Sequence, residues 1–197
     1  MAGTRKRVKH YHEPGDAHEL TFSCYRRLSL LTNDTWRGYL GTKVEDACRK
    51  HRFRLVAFVF MPEHVHLLVL PESDDPNIGA FVAAVKRPTS VEVKRDLVTG
   101  QSRLIEKLTM QERPGKNVFR FWQEGPGYDR NLQHEDSVLG SIDYIHNNPV
   151  QRGLCRSVPE WFWSSARFYA TEPPEQNARL PRVDGLPADF FERADSR

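Results

Sequence analysis

The chain has 197 residues, 39% of them hydrophobic and 28% charged, with a net charge of +3. That is enough for one core and too little for two full domains, and no stretch approaches the roughly 20 apolar residues of a membrane span. The basic start "MAGTRKRVKHYH" lacks the apolar run of a secretory signal, and three cysteines without a CxxC pair argue against a disulfide framework or a cysteine-based zinc site, so a cytoplasmic protein is expected.

Taken in order, "ELTFSCY" alternates Leu20, Phe22 and Cys24 with Thr21, Ser23 and Tyr25, the period of a strand with one buried face. "NDTWRGYLGTKVEDACRKH" offers a cap at Asn33 or Asp34, then Trp36, Leu40, Val44, Ala47 and Cys48 at helical spacing. "FRLVAFVF" and "HVHLLVL" predict two antiparallel strands joined by the turn "MPE". "NIGAFVAAVKR" predicts a helix interrupted at Pro88 and resumed by "SVEVKRDLV". "NVFRFWQ" has strand character, "EGPGYD" reads as a turn or loop, and "QHEDSVLGSIDYIHNN" predicts a helix that Pro149 stops. The aromatic segment "PEWFWSSARFYA" closes the folded part.

The expected division is a basic extension over 1–17, a folded domain over 18–170 and a Pro-rich acidic tail over 171–197. The order strand, helix, strand, strand, helix, strand, helix predicts an α+β fold: a ferredoxin-like antiparallel sheet with helices on one face and an additional C-terminal helix. Charge is uneven along it. Arg5, Lys6, Arg7 and Lys9 precede any acid, nine Lys/Arg stand against four Asp/Glu between Lys86 and Arg120, and from Thr171 four Arg face six acids. The basic stretches could neutralise phosphates, although charge runs are as often plain solvated faces.

"FMPEHVHLLVLP" is the pattern packing explains least. On a strand His64 and His66 project from one face and Val65 from the other, so the two imidazoles can grip one ion, which needs at least one further donor. Alone, such a pair is more commonly two sheet histidines satisfied by backbone or solvent. "SIDYIHNNPVQRGLC" shifts that balance: if the helix runs to Asn148, Tyr144 and Asn148 lie one turn apart on one face, a phenol and an amide oxygen turned to the same ligand. Asn148 is then a candidate third donor, although tyrosines near helix ends commonly pack and Asn-Pro is a common chain stop.

Four segments in one order, "MPEHVHLLV", "FWQEGPGYDRNL", "IDYIHNNPVQRGL" and "WSSARFY", make the chain resemble the REP-associated tyrosine transposases, within the HUH single-tyrosine transposases. They spread from about Thr21 to Tyr169. The resemblance implies magnesium or manganese held by His64, His66 and Asn148, and Tyr144 as the nucleophile that attacks single-stranded DNA at hairpin-forming palindromic repeats. Tyr128, in "GPGYDRN", is the alternative nucleophile, placed behind Tyr144 because it has no polar ligand one turn away. A tyrosine nucleophile forms a covalent intermediate that keeps the energy of the phosphodiester, so cutting and rejoining are expected rather than hydrolysis. Phenols are protonated at neutral pH and need a base, but neither Asp143 nor His146 is assigned, because neighbouring helical residues point elsewhere.

Candidates for gripping DNA are Arg5, Lys6, Arg7, Lys86, Arg87, Lys94, Arg95 and Arg120, with Trp122 as a stacking platform. Trp161, Trp163 and Phe168 are expected to pack. The resemblance further implies a nucleoid-associated protein, monomer or homodimer, and no extra apolar face for a dimer stands out. Glu63 occupies a place where asparagine is frequent in the family, either adding charge to the metal site or capping the turn. Two other classes stay open: a domesticated hairpin-DNA-binding protein without cleavage, and a water-using metal phosphodiesterase in which Tyr144 only packs.

Overall fold

The chain runs β1 (Ala17–Ser23), α1 (Asp34–His51), β2 (Phe53–Phe60), β3 (His64–Pro71), α2 (Ile78–Thr99), α3 (Leu104–Leu108), β4 (Thr109–Arg113), β5 (Lys116–Phe119), β6 (Tyr128–Leu132), α4 (Glu135–Gln151) and α5 (Ala166–Ala170). The computed structural model describes residues 15–125 and 127–191. Arg5, Lys6, Arg7 and Lys9, candidates for gripping DNA, lie outside them, as does most of the expected extension.

The main sheet has the order β2-β3-β1-β6, with every neighbouring pair antiparallel. That is the strand order of a ferredoxin-like fold, with β6 as its fourth strand. Period-two alternation sorts the side chains. Leu20, Phe22, Phe58, Phe60, Val65, Leu67 and Val69 pack with the buried face of α1 (Trp36, Leu40, Val44, Ala47) and with Phe81, Val85 and Val93 of α2. Ala57, Val59, Leu68 and Leu70 meet Val138, Ile142 and Ile145 of α4 across the other face. Asn33 caps α1 by accepting from Trp36 N, and Asn77 caps α2 by accepting from Ala80 N.

Four local expectations change. The fourth strand of the sheet is β6, in the stretch read as a loop, while β5 pairs with β4 in a separate hairpin. One of the glycines that suggested a loop serves close approach: Gly127 has φ +89°, and a Cβ there would run into the Thr21 carbonyl of β1. Helix α2 passes through Pro88 without a break. The missing Pro88 amide leaves only the Ala84 carbonyl without its helical donor, and the carbonyls next along draw side-chain donors: Thr89 Oγ1 donates to Val85 O (2.7 Å), and both Ser90 Oγ and Trp122 Nε1 donate to Lys86 O. Helix α4 likewise continues past Pro149 to Gln151, and Arg152 N then closes it on Asn148 O. The described part of the expected tail, 171–191, lies on the domain, where Val183 and Phe190 are buried and Asp184 exchanges hydrogen bonds with the Leu55 backbone. Apolar residues spaced among its prolines give it something to bury.

The "WSSARFY" segment extends the sheet and fixes α4. Phe60 N donates to Trp163 O and Ser165 N to Phe58 O, so 163–165 runs along the free edge of β2. Ser165 Oγ accepts from Phe58 N (2.9 Å), donates to Phe58 O (3.3 Å), and lies 2.8 Å from Nε2 of His146 on α4. Trp163 is buried with its indole N–H on Asp34, as its expected packing role requires.

His146 is buried as a neutral imidazole, and burial pushes its pKa from 6.5 down to about 4. The unfolded chain therefore binds more protons between those values, and folding stability drops as pH falls from 6.5 towards 4. The loss assigned to this residue is roughly 3 kcal/mol at 1.36 kcal/mol per pH unit. Urea unfolding at pH 7 and pH 4.5 is expected to show a shallower loss in His146→Gln than in the wild type; equal losses would exclude the buried imidazole as the source.

Candidate active site

The register of β1 against β3 builds the floor of a cleft of about 400 Å³. His64 stands opposite Ser23, His66 opposite Thr21 and Leu68 opposite Glu19, so Glu19, Thr21 and Ser23 share a face with both imidazoles. Helix α4 forms one wall with Tyr144, Asn148 and Gln151, Arg152 follows at its end, Arg27 stands beyond β1, and Tyr128 opens β6.

The two imidazoles converge. Their Nε2 atoms are 3.0 Å apart and both Nδ1 atoms are engaged behind them, His64 with Glu63 Oε1 (3.1 Å) and His66 with Thr21 Oγ1 (2.9 Å). Burial lowers both pKa values, that of His66 to about 3 with help from neighbouring His64, while Glu63 partly opposes the shift at His64. Both rings are therefore neutral at physiological pH and keep lone pairs for a ligand.

The third candidate donor meets them there. Asn148 is 6% exposed, lines the same cleft, and its Oδ1 is a buried oxygen without a hydrogen-bond partner. Burying such an atom unpaired costs about 1–3 kcal/mol, so native proteins rarely keep one. An ion about 2.1 Å from each imidazole nitrogen would see them at about 90°, the cis angle of an octahedral site. Among the described residues no group of three His, Cys, Asp or Glu gathers to hold a metal, so a third protein donor would be of another kind, and the Asn148 amide oxygen is one such donor in the cleft. Two neutral nitrogens and an amide oxygen fit a divalent cation.

Tyr144 is 44% exposed, and its ring stands edge-on to His66 with centroids 5.4 Å apart. Tyr128, 57% exposed, lines the same cleft from the start of a strand rather than from a loop. Both candidate nucleophiles thus reach the histidines' side of the sheet. Only Tyr144 sits one helical turn from Asn148.

The expected DNA contacts divide. Arg87, Lys94 and Arg95 are exposed on α2, which covers the opposite face of the sheet, and Arg95 pairs with Glu92. Lys86 is taken up internally, where its Nζ donates to the Gln123 and Gly125 carbonyls and burial lowers its pKa. Trp122 is buried at 6% exposure, edge-on to Phe22, so it holds the 121–125 segment in place of offering a stacking face. Arg120 is ion-paired with Glu112 and Glu124. The cations lining the cleft are Arg27 and Arg152, neither singled out from sequence. Arg152 lies four residues after Asn148, a spacing that was legible, whereas Arg27 reaches the cleft through left-handed backbone at Arg26 and Arg27, which composition does not signal.

Comparison with known proteins agrees with this fold. A family model described as transposase IS200-like matches residues 16–113, which include β1, β3 and both histidines. A Haemophilus influenzae protein assigned to the REP-associated tyrosine transposases is 27% identical over 148 residues, covering 70% of this chain and 76% of that protein. The REP-associated tyrosine transposase of Escherichia coli is 27% identical over 143 residues, covering 71% and 69%. A solved REP-associated tyrosine transposase bound to a REP hairpin superposes with a TM-score of 0.64 over 92% of this chain and 98% of that one, at 19% identity, a likeness of fold. Residues 16–113 match the IS200-like transposases, and the relatives the chain resembles are REP-associated tyrosine transposases.

Proposed function

We propose that the chain cuts and rejoins single-stranded DNA at hairpin-forming repeats, with Tyr144 as nucleophile and a divalent cation, magnesium or manganese, held by His64, His66 and Asn148. The observation that carries this reading is the meeting of two neutral imidazoles, an unpartnered buried amide oxygen and a half-exposed phenol in one cleft. A divalent ion bound there supplies charge neutralisation at a non-bridging phosphate oxygen. Hairpin DNA as the substrate is supported by the fold shared with a hairpin-bound transposase.

The residues divide the work. Tyr144 Oη forms a bond to phosphorus as the bond from phosphorus to the departing sugar oxygen breaks. The phenolic proton leaves to cleft water, and the sugar oxygen takes a proton back. One phosphodiester is exchanged for a phosphotyrosine, so the reverse attack by a DNA hydroxyl reseals the strand without ATP. Arg27 and Arg152 supply positive charge at the cleft for the flanking phosphates, and exposed Arg87 and Lys94 form a separate basic patch on α2, across the sheet from the cleft.

Incubation of the protein with a labelled hairpin oligonucleotide and Mn²⁺ is expected to give a protein-DNA adduct that survives denaturation. Tyr128→Phe should retain the adduct and Tyr144→Phe should lose it, while His64→Ala should slow its formation roughly 10²–10³-fold, as when a transition-state charge stabiliser is removed. An adduct persisting in Tyr144→Phe would refute the nucleophile. Cleavage without any adduct would favour a water-using phosphodiesterase, and binding alone a domesticated binder.

Asn148 gives a test independent of DNA. Because Oδ1 is buried and unpartnered, Asn148→Leu is expected to raise metal-free stability by about 1 kcal/mol, and to abolish the rise in Tm that Mn²⁺ produces in the wild type. Thermal melts with and without Mn²⁺ decide it, and a variant still stabilised by Mn²⁺ would remove Asn148 from the ligand set.

A further inference from the structure

We infer that Glu63 is a positioning residue: its carboxylate fixes His64 with the Nε2 lone pair turned into the cleft, and through Arg152 it ties that histidine to the end of α4 that carries Asn148. This rests on the metal site proposed above and concerns how its donors are held together.

Glu63 is 7% exposed, and its Oε1 stands 3.1 Å from His64 Nδ1 and 2.8 Å from Arg152 Nη2. Both contacts fall on one oxygen, and a guanidinium has only donors to offer, so Oε1 is an acceptor there. An ionised carboxylate only accepts hydrogen bonds, so Nδ1 of His64 must be the protonated nitrogen and Nε2 the bare one. The other histidine is held differently. Thr21 Oγ1, 2.9 Å from His66 Nδ1, can donate or accept, so it serves either tautomer of His66. Without an ion, His66 Nε2–H can donate to the bare Nε2 of His64 at 3.0 Å; with one, His66 moves its proton to Nδ1 and Thr21 turns to accept it. One histidine is preset and the other adapts.

Arg152 carries the link to α4. Its backbone N–H donates to Asn148 O (3.1 Å) while its guanidinium pairs with Glu63. A chain of contacts therefore runs from His64 through Glu63 and Arg152 to Asn148, joining donors contributed by a strand and a helix and 84 residues apart in sequence. At the other end of the cleft Ser141 Oγ donates to Glu19 Oε2 (3.2 Å), so α4 is tied to the sheet on both sides of Tyr144. The carboxylate at 63 thus has a place in the site without entering the ligand set, because it contacts the ring nitrogen facing away from the cleft.

The test uses the full chain, with Mn²⁺ affinity measured by calorimetry and the His64 tautomer read by long-range ¹⁵N NMR without metal. Glu63→Ala should weaken Mn²⁺ binding by about 10–100-fold, the usual effect of losing the partner of a metal-bound histidine, and should release His64 from its Nδ1–H tautomer. Glu63→Gln, whose amide oxygen still accepts from Nδ1, should keep the tautomer and lose less affinity. Arg152→Ala should also keep the tautomer, weaken Mn²⁺ by a smaller factor than Glu63→Ala, and speed amide exchange over 152–154.

A Glu63→Ala protein with wild-type Mn²⁺ affinity and His64 still protonated at Nδ1 overturns the inference. If the wild type takes up no Mn²⁺, the metal reading falls, and the tautomer in Glu63→Ala still decides whether Glu63 fixes the ring. Should Glu63→Ala fail to fold, a Glu63→Gln protein whose His64 carries its proton on Nε2 overturns it equally.

Discussion

Strand β3 lies between β1 and β2, with His66 opposite Thr21 on one side and Val59 on the other, and the cleft depends on that register being held. A slip of one residue would turn both imidazoles into the core beneath α1 and α2 and bring Val65 and Leu67 to the cleft. The apolar residues prevent it. Val65, Leu67 and Val69 pack with α1 and α2 while Leu68 and Leu70 pack beneath α4, so both faces of β3 penalise a shift. The polar site is thus held in place by the hydrophobic alternation around it.

Helix α4 closes the site because its sheet-facing stripe changes character along its length. Val138, Ile142 and Ile145 bury against Ala57, Val59, Leu68 and Leu70, His146 reaches Ser165 beside β2, and the next turn presents Asn148 and then Arg152 to the cleft. Tyr144 lies beside that stripe, which explains how a residue on a docked helix remains 44% exposed with its ring against His66. Apolar packing sets the depth of the helix and the polar ties at Glu19 and Glu63 set its rotation.

The sequence made the main elements legible wherever one period ran cleanly. Leu20, Phe22 and Cys24, the helical spacing from Trp36 to Cys48, and the HxH strand all fall where alternation and capping put them. The same rules misjudged residues whose role depends on a partner far along the chain. Gly127 reads as a loop until the Thr21 carbonyl lies against it, and the prolines at 88 and 149 read as breaks although both helices run through them, packed on the sheet. In the candidate site, His64, His66, Tyr144 and Asn148 were legible because strand and helix periods put them in pairs. That the pairs meet was not derivable from either period. Lys86 and Trp122 have the composition of a DNA-binding patch, yet their polar atoms are spent on nearby carbonyls, a use that composition does not distinguish from binding.

Three side chains that work against folding line the cleft. Asn148 Oδ1 is buried without a partner, and His64 and His66 are held neutral with their Nε2 atoms against one another. Leucine at 148 and valine at 64 and 66 would satisfy the apolar surroundings at lower cost. Other buried polar groups are matched: Ser165 serves both Phe58 and His146, Thr89 and Ser90 donate to the Val85 and Lys86 carbonyls beside Pro88, and Glu63 answers both His64 and Arg152. An unpartnered amide oxygen that lines one cleft with two neutral imidazoles is an arrangement that a ligand would complete. The half-exposed phenol of Tyr144 stands beside that point, its ring edge-on to His66.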